Sequence, residues 1–164
     1  MIQGLSIRLS VEADMDHWKR WVADPKVSRW FPFASEEGEI DRTARHVFSF
    51  LPRNAVLTAE LDGKPCGIAG FELPEFRKIM HHAKFWVVVA ESHRNQGIGT
   101  LLLQSLLATG KAWHRLSLVV LEVYEGNPAR SLYQKLGFVD FGFQPCFSNL
   151  DGKFLGCHLM CKVL

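Results

Sequence analysis

Two short segments carry residue types that could do chemistry. The first is Arg94-Asn95-Gln96-Gly97-Ile98-Gly99-Thr100, between an apolar strand-like run and a helical one. Glycines at such a junction let the chain turn tightly and let a ligand approach the backbone. The first turn of the helix that follows has unpaired N–H groups and the positive end of the helix dipole, so it can hold phosphate. The dinucleotide fingerprint is excluded, because Leu102 stands where its third glycine belongs. A P-loop is excluded because Thr100-Leu101 follows Gly99 in place of Lys-Ser/Thr. What remains is a pyrophosphate cradle of another type. The second segment runs from Glu125 to Phe138. Asn127 reads as a helix N-cap, Pro128 as the first helical residue and Gly137 as the C-cap. Tyr133 is left over by these structural assignments. It is one of only two tyrosines, and on a short helix its hydroxyl could face a site and donate a proton.

The rest of the chain must position these segments. A strand is predicted from Ile2 to Leu9. Met15, Trp18, Trp21 and Val22 recur at helical spacing and predict a helix from Glu12 to Ala23, ended by Asp24-Pro25. A second helix is expected from about Glu36 to Leu51, with Ile40, Ala44, Val47, Phe48 and Leu51 on its apolar stripe. Between them lies an aromatic loop, Val27 to Phe33. Ala55 to Leu61 and Cys66 to Leu73 read as a hairpin around Asp62-Gly63-Lys64. A third long strand is predicted from His82 to Ala90, and a helix from the glycine loop to about Trp113. Leu116 to Tyr124 reads as a buried strand and Pro128 to Leu136 as a short helix. Phe138 to Cys146 and Phe154 to Val163 form a closing hairpin around Asp151-Gly152-Lys153. The order implies a mixed α/β sheet, mainly antiparallel in its first half, with one βαβ crossover from Val87 to Val123.

Composition excludes several classes. The 164 residues suit one domain, 1–164, and 48% apolar with 22% charged residues is ordinary for a folded chain. With 19 Lys plus Arg against 17 Asp plus Glu, the net charge of +2 does not suggest a nucleic-acid partner. No run is long and apolar enough to span a membrane, and the first residues are unlike a signal peptide, so a cytoplasmic location is expected. The four cysteines form no CxxC pair. Strand alternation puts Cys157 and Cys161 on one face and His158 on the other, so they read as reduced structural cysteines and no metal is expected.

Together the two segments resemble the GNAT superfamily of acyl-CoA-dependent N-acetyltransferases. That family carries Arg/Gln-x-x-Gly-x-Gly/Ala after a strand, matched here by Arg94, Gly97 and Gly99. About 30 residues later it carries Asn, a small residue, then Leu-Tyr-x-x-x-Gly-Phe, matched by Asn127, Ala129, Leu132, Tyr133, Gly137 and Phe138. The element order also fits, so the resemblance covers essentially the whole chain. It implies a mixed, mostly antiparallel central sheet flanked by about four helices, with splayed central strands and a C-terminal hairpin. It implies acetyl-CoA as co-substrate. The backbone of Trp86, Val87, Val88 and Val89 would pair with the pantetheine amides. The amides from Gln96 through Gly97, Ile98 and Gly99 to Thr100 would hold the pyrophosphate, beside Arg94 and Asn95. Asn127 and Ser131 would contact the cofactor arm. Tyr133 would be the general acid for the departing thiolate, and a backbone N–H near Val88 would stabilise the oxyanion.

The resemblance has one departure. Many members place a carboxylate ten residues before the motif's first Arg, and that position is Lys84 here. A charged lysine is a poor base. Glu72 is named as the base; Glu75, His81, His82 and a water-mediated route stay open. Acceptor specificity is expected in the first helix pair and its loop, where Trp30, Phe31 and Phe33 could wall an apolar or cation–π pocket for an amine. Glu36, Glu37 and Glu39 read as an ordinary acidic helix N-terminus. The hairpin from Phe143 to Phe154 could shape the acceptor site or a homodimer contact. The expected activity is acetylation of a small-molecule primary amine by direct transfer. A protein N-terminus or lysine as acceptor, or a catalytically silent acyl-CoA sensor, are the alternatives.

Overall fold

A computed structural model describes residues 2–33, 36–150 and 152–164. In chain order the elements are β1 (Leu5–Leu9), α1 (Asp14–Val22), α2 (Pro25–Ser28), α3 (Glu37–Phe48), β2 (Val56–Leu61), β3 (Lys64–Glu72), β4 (His82–Val89), α4 (Ile98–Trp113), β5 (Leu118–Tyr124), α5 (Ala129–Lys135), β6 (Val139–Leu150) and β7 (Lys153–Val163). They build one seven-stranded sheet in the order β1-β2-β3-β4-β5-β7-β6. Strands β1 to β4 are antiparallel neighbours, and β4 and β5 run parallel with α4 as the crossover. The last strand, β7, lies between β5 and β6.

The boundaries depart from the sequence pattern where local chemistry intervenes. The aromatic loop opens with a helical turn, α2, because Asp24 accepts from the Lys26 N–H (2.9 Å) and Pro25 suits the first position. The second helix stops at Phe48, short of Leu51, because Pro52 has no N–H to donate to the Phe48 carbonyl and its ring would crowd that oxygen. Residues Leu51–Arg53 form a 3₁₀ turn instead. Strand β6 extends past Cys146 to Leu150, since irregularities at Asp140/Gly142 and Gln144/Ser148 let it re-register on β7. Of the closing turn, Asp151 lies outside the described residues, while Gly152 has φ +82°.

Both sheet faces are covered. On one, α4 buries Leu102, Leu103 and Leu106 against Phe71, Phe85, Val119 and Met160. Each such leucine contributes roughly 1.5–3 kcal/mol by leaving water. A Cβ at Gly110 would come within 2.8 Å of the Phe71 ring, so the glycine lets α4 settle onto β3. On the other face, Trp18 and Val22 of α1 and Ile40, Val47 and Phe48 of α3 pack on Ile68, Trp86 and Val88. Helix α1 is pinned at its start. The buried Asp14 carboxylate accepts from Arg8 Nη1 (2.7 Å) and Nη2 (2.9 Å), Thr58 Oγ1 (2.9 Å) and the Val11 N–H (2.8 Å).

The feature that makes a site is the failure of β4 and β5 to stay paired. They pair only at His82↔Leu118, Ala83↔Val119 and Lys84↔Val120. Beyond Lys84 the β4 residues keep β3 as their partner, and the β5 residues keep β7. A wedge opens between Phe85–Val89 and Leu121–Tyr124.

Candidate active site

The wedge is part of a cavity of about 610 Å³ that continues under α1 and the loop after α2. Trp86, Val87, Val88 and Val89 border it along β4. Alternate backbone N–H and C=O groups of a strand point to each side, so those facing the wedge are free for an extended, amide-bearing ligand. At the far end of β4 the chain turns through Asn95 (φ +60°) and Gly97 (φ +83°) into α4. The turn is tied down by the Arg94 Nε–H, which donates to the Val89 carbonyl (3.1 Å), and by the Gln96 amide, which donates to the Ser92 carbonyl (3.2 Å). No side chain caps α4, so its first N–H groups stay open to an anion. A Cβ at Gly99 would meet only Val89 and Leu132 side chains, at 3.6 and 3.7 Å. Gly99 is therefore not demanded by the protein's own packing, and the space it leaves belongs to the cavity.

The structure gathers most of the residues singled out in the sequence around this one space. Arg94, Asn95, Gly97, Gly99 and Thr100 border it from the turn, Asn127, Ser131 and Tyr133 from α5 and the loop before it, and Glu72 from β3. Gln96 and Ile98 do not. The Ile98 side chain is 1% exposed in the core under α4, so only its backbone N–H is on offer. Asn127 accepts from the Ala129 N–H (2.9 Å) and so starts α5. The Phe138 N–H reaches back to the Tyr133 carbonyl (3.0 Å) across Gly137 (φ +86°) and ends it. Between these caps the Tyr133 ring packs edge-on against Phe85, centroids 5.6 Å apart. Burial pushes its phenol up to about 12. It stays protonated, the form that can donate.

The rest of the cavity is aromatic at one end and charged at the other. Trp18, Trp30, Phe31, Phe33 and Trp86 wall the space under the helices. Phe31 stacks on Phe33 (5.2 Å), and Trp18 meets Trp86 edge-on (6.2 Å). Trp86 can lie across β3 because its cross-strand neighbour is Gly70, where a Cβ would sit 2.7 Å from Trp86 Cζ2. One face of Trp30 carries the Arg29 guanidinium at 4.6 Å, so the cation–π partner of that face is the protein's own. At the charged end, Lys84 Nζ donates to Glu122 Oε1 at 2.7 Å. Lys84 stands opposite Glu72 in the β3–β4 register, so three charges from three strands meet where the wedge begins.

Comparison with known proteins fits this geometry. Residues 12–138 match the Acetyltransferase (GNAT) family.

The chain belongs to the GNAT family of acetyltransferases.

An L-amino acid N-acetyltransferase of Escherichia coli is 25% identical to this acetyltransferase over 108 residues, 65% of this chain and 67% of the relative. An N-alpha-acetyltransferase of Sulfurisphaera tokodaii is 38% identical over 95 residues, 51% of this chain and 56% of the relative. An acetyltransferase of Salmonella typhimurium, solved with its cofactor acetyl-CoA, shares the fold with a TM-score of 0.83 at 20% identity, covering 99% of this chain and 95% of that one.

Of the alternatives considered for a base in this acetyltransferase, Glu72 borders the cavity; Glu75, His81 and His82 are not part of its lining. Glu36, Glu37 and Glu39 also stay outside that lining, at the start of α3. The cavity residues missed in the sequence include Trp18, Glu122 and Tyr124. Glu122 had a signal, being the one charged residue in the apolar run Leu116 to Tyr124. Tyr124 is the other of the two tyrosines and had the same rarity as Tyr133, while Trp18 had no signal that distinguishes it from core. The Tyr124 hydroxyl is buried without a partner among the described residues, and burial pushes it up to about 12.

Proposed function

We propose that this acetyltransferase moves the acetyl group of acetyl-CoA directly to the primary amine of a small molecule. The observation that supports this best is continuity. One cavity joins the β4–β5 wedge, which suits an extended pantetheine arm, to an aromatic chamber enclosed by α1 and the loop after α2. A small acceptor suits that chamber, whose walls include Trp18, Phe31 and Phe33.

The residues divide the work by position. The backbone of Trp86 to Val89 completes its hydrogen bonds with the ligand's amides. The turn from Arg94 to Thr100 holds the pyrophosphate. The Val88 N–H faces Ile68 of β3 in the ladder, so charge that builds on the thioester oxygen is received by a wedge-facing N–H beside it, that of Val87 or Val89. Glu72 takes the proton that the acceptor's ammonium must lose before it can attack, directly or through water. Tyr133 donates to the sulfur as it leaves. Holding amine and thioester in one cavity supplies the orientation on which direct transfer depends.

The test is a thermal-shift titration with acetyl-CoA, followed by a thiol-release screen of small amines and short peptides. A ligand at a hundred times its Kd adds about 2.7 kcal/mol of stability, which raises the Tm of a chain this size by several degrees. A rise with thiol release on small amines is expected. Release only on peptides would overturn the small-acceptor reading in favour of a protein N-terminus, and a rise with no release on any acceptor would leave a sensor.

A further inference from the structure

We infer that Lys84 binds a carboxylate on the acceptor, so that the acceptor is a zwitterion: an α-amino acid, or a molecule shaped like one, with an apolar side chain. The inference rests on the small-amine reading and names the class of amine.

Lys84 is the last β4 residue that pairs with β5, and it stands at the closed end of the wedge. Strand alternation puts it on the same sheet face as Trp86 and Val88, the face covered by α1 and α3. This is the acceptor face. The pyrophosphate cradle begins beyond Val89, five residues along the strand, or about 16 Å away. Lys84 is thus too far along β4 to serve the phosphates.

Its charge is held in place without being used up. Glu122 anchors the ammonium through one contact of 2.7 Å. The two side chains are 41% and 34% exposed and both border the cavity. An ammonium has three N–H donors, so two remain for a ligand. Glu122 fixes where they point.

The neighbouring charges then select the ligand. Glu72, Lys84 and Glu122 present minus, plus, minus across the floor of the chamber. A simple amine can face Glu72, but it leaves the two remaining Lys84 donors without an anionic partner. A zwitterion meets both signs: its carboxylate faces Lys84 and its ammonium faces Glu72. The remaining wall, Trp18, Trp30, Phe31, Phe33 and Trp86, suits an apolar or aromatic side chain.

The experiment uses matched acceptors that differ only in the carboxylate. L-Leucine is compared with 3-methylbutylamine, and L-phenylalanine with 2-phenylethylamine, in thiol release from acetyl-CoA. Rates are corrected to each acceptor's free-base fraction. The unmodified enzyme should favour the amino acid by about ten- to a hundredfold in kcat/KM, the scale of one charge-assisted hydrogen-bonded pair. Lys84→Met should abolish that preference through KM and improve the simple amine. Lys84→Arg, which keeps the charge, should retain it. If the unmodified enzyme turns over both members of each pair equally, or if Lys84→Met keeps the preference, the inference is overturned while the small-amine reading stands. If neither member of any pair is acetylated while another small amine of the screen is, this inference is overturned and the small-amine reading stands; release on peptides alone, or on no acceptor, overturns both.

Discussion

Replacing Tyr133 by Phe removes one oxygen and leaves the ring. The ring is 8% exposed and packs on Phe85 at 5.6 Å and Phe138 at 6.3 Å, and those contacts survive the change. The fold should therefore hold, with Tm within a few degrees of the parent. The effect on rate follows from two acidities. The phenol is pushed up to about 12 by burial, while a thiol ordinarily ionises near 8.5. Full proton transfer to a thiolate is uphill by about 3.5 units, or about 5 kcal/mol. In the proposed mechanism Tyr133 thus acts chiefly as a hydrogen-bond donor to the developing thiolate. Such a bond to a charged group contributes about 1.5–3 kcal/mol, or roughly 10- to 150-fold in rate. This is well below the 10⁴-fold upper end for general acids. The assay is single-turnover thiol release at saturating acetyl-CoA and amine, which separates chemistry from product release. Acetyl-CoA affinity is measured alongside by calorimetry. The expected result is a rate loss of about 10- to 150-fold with affinity nearly unchanged. A single-turnover rate within about threefold of the parent would refute the role of the hydroxyl, and a loss carried wholly by affinity would make Tyr133 a binding residue.

Three other outcomes follow from the packing and the charges. Gly70→Ala should displace the Trp86 indole, because the new Cβ would sit 2.7 Å from Cζ2. The expected cost is about 1–3 kcal/mol in urea unfolding, with a raised KM for the amine and an unchanged Kd for acetyl-CoA. Burial alone would push the Asp14 carboxyl up, but the bonds from Arg8, Val11 and Thr58 outweigh it and hold the group below its ordinary value. Its stabilising effect is complete above about pH 4 and fades as the pH falls through the folded-state value. Asp14→Asn should cost about 2 kcal/mol at pH 7 and flatten the acid limb of the stability curve. At the alkaline end, Tyr124 and Tyr133 both ionise near 12 when folded and near 10.0 when unfolded. Their contribution is full below pH 10 and declines as pH rises toward 12, by roughly 3 kcal/mol each. Tyr124→Phe should remove half of that alkaline loss, and it should not destabilise at pH 7, since its hydroxyl is buried without a partner among the described residues.

Much of the site was readable from local spacing, because local spacing is what shapes it. The turn from Arg94 to Gly97 and the opening of α4 need glycine and a run of helix formers, all within a dozen residues. The caps around Tyr133 are set by Asn127 and Gly137 in the same way. The strand and helix periods gave every element but α2, whose one turn is too short to show a period. Bulges and proline effects decided the boundaries at Leu51 and beyond Cys146, and a turn at Gly4 (φ +76°) starts β1 at Leu5 in place of Ile2.

The glycine turn, the capped helix of Tyr133 and the family are legible along the chain, since each depends on neighbours in sequence. The charges at the closed end of the wedge come together only in the assembled sheet. Lys84 and Glu122 lie 38 residues apart, and their contact exists because β4 and β5 pair for three residues and then diverge. No spacing encodes that divergence. It depends on which strand each edge prefers, β3 on one side and β7 on the other. The same register brings Glu72 opposite Lys84 and Gly70 under Trp86. Strand register is settled by packing across the whole sheet, so the acceptor's surroundings appear only once the sheet is assembled.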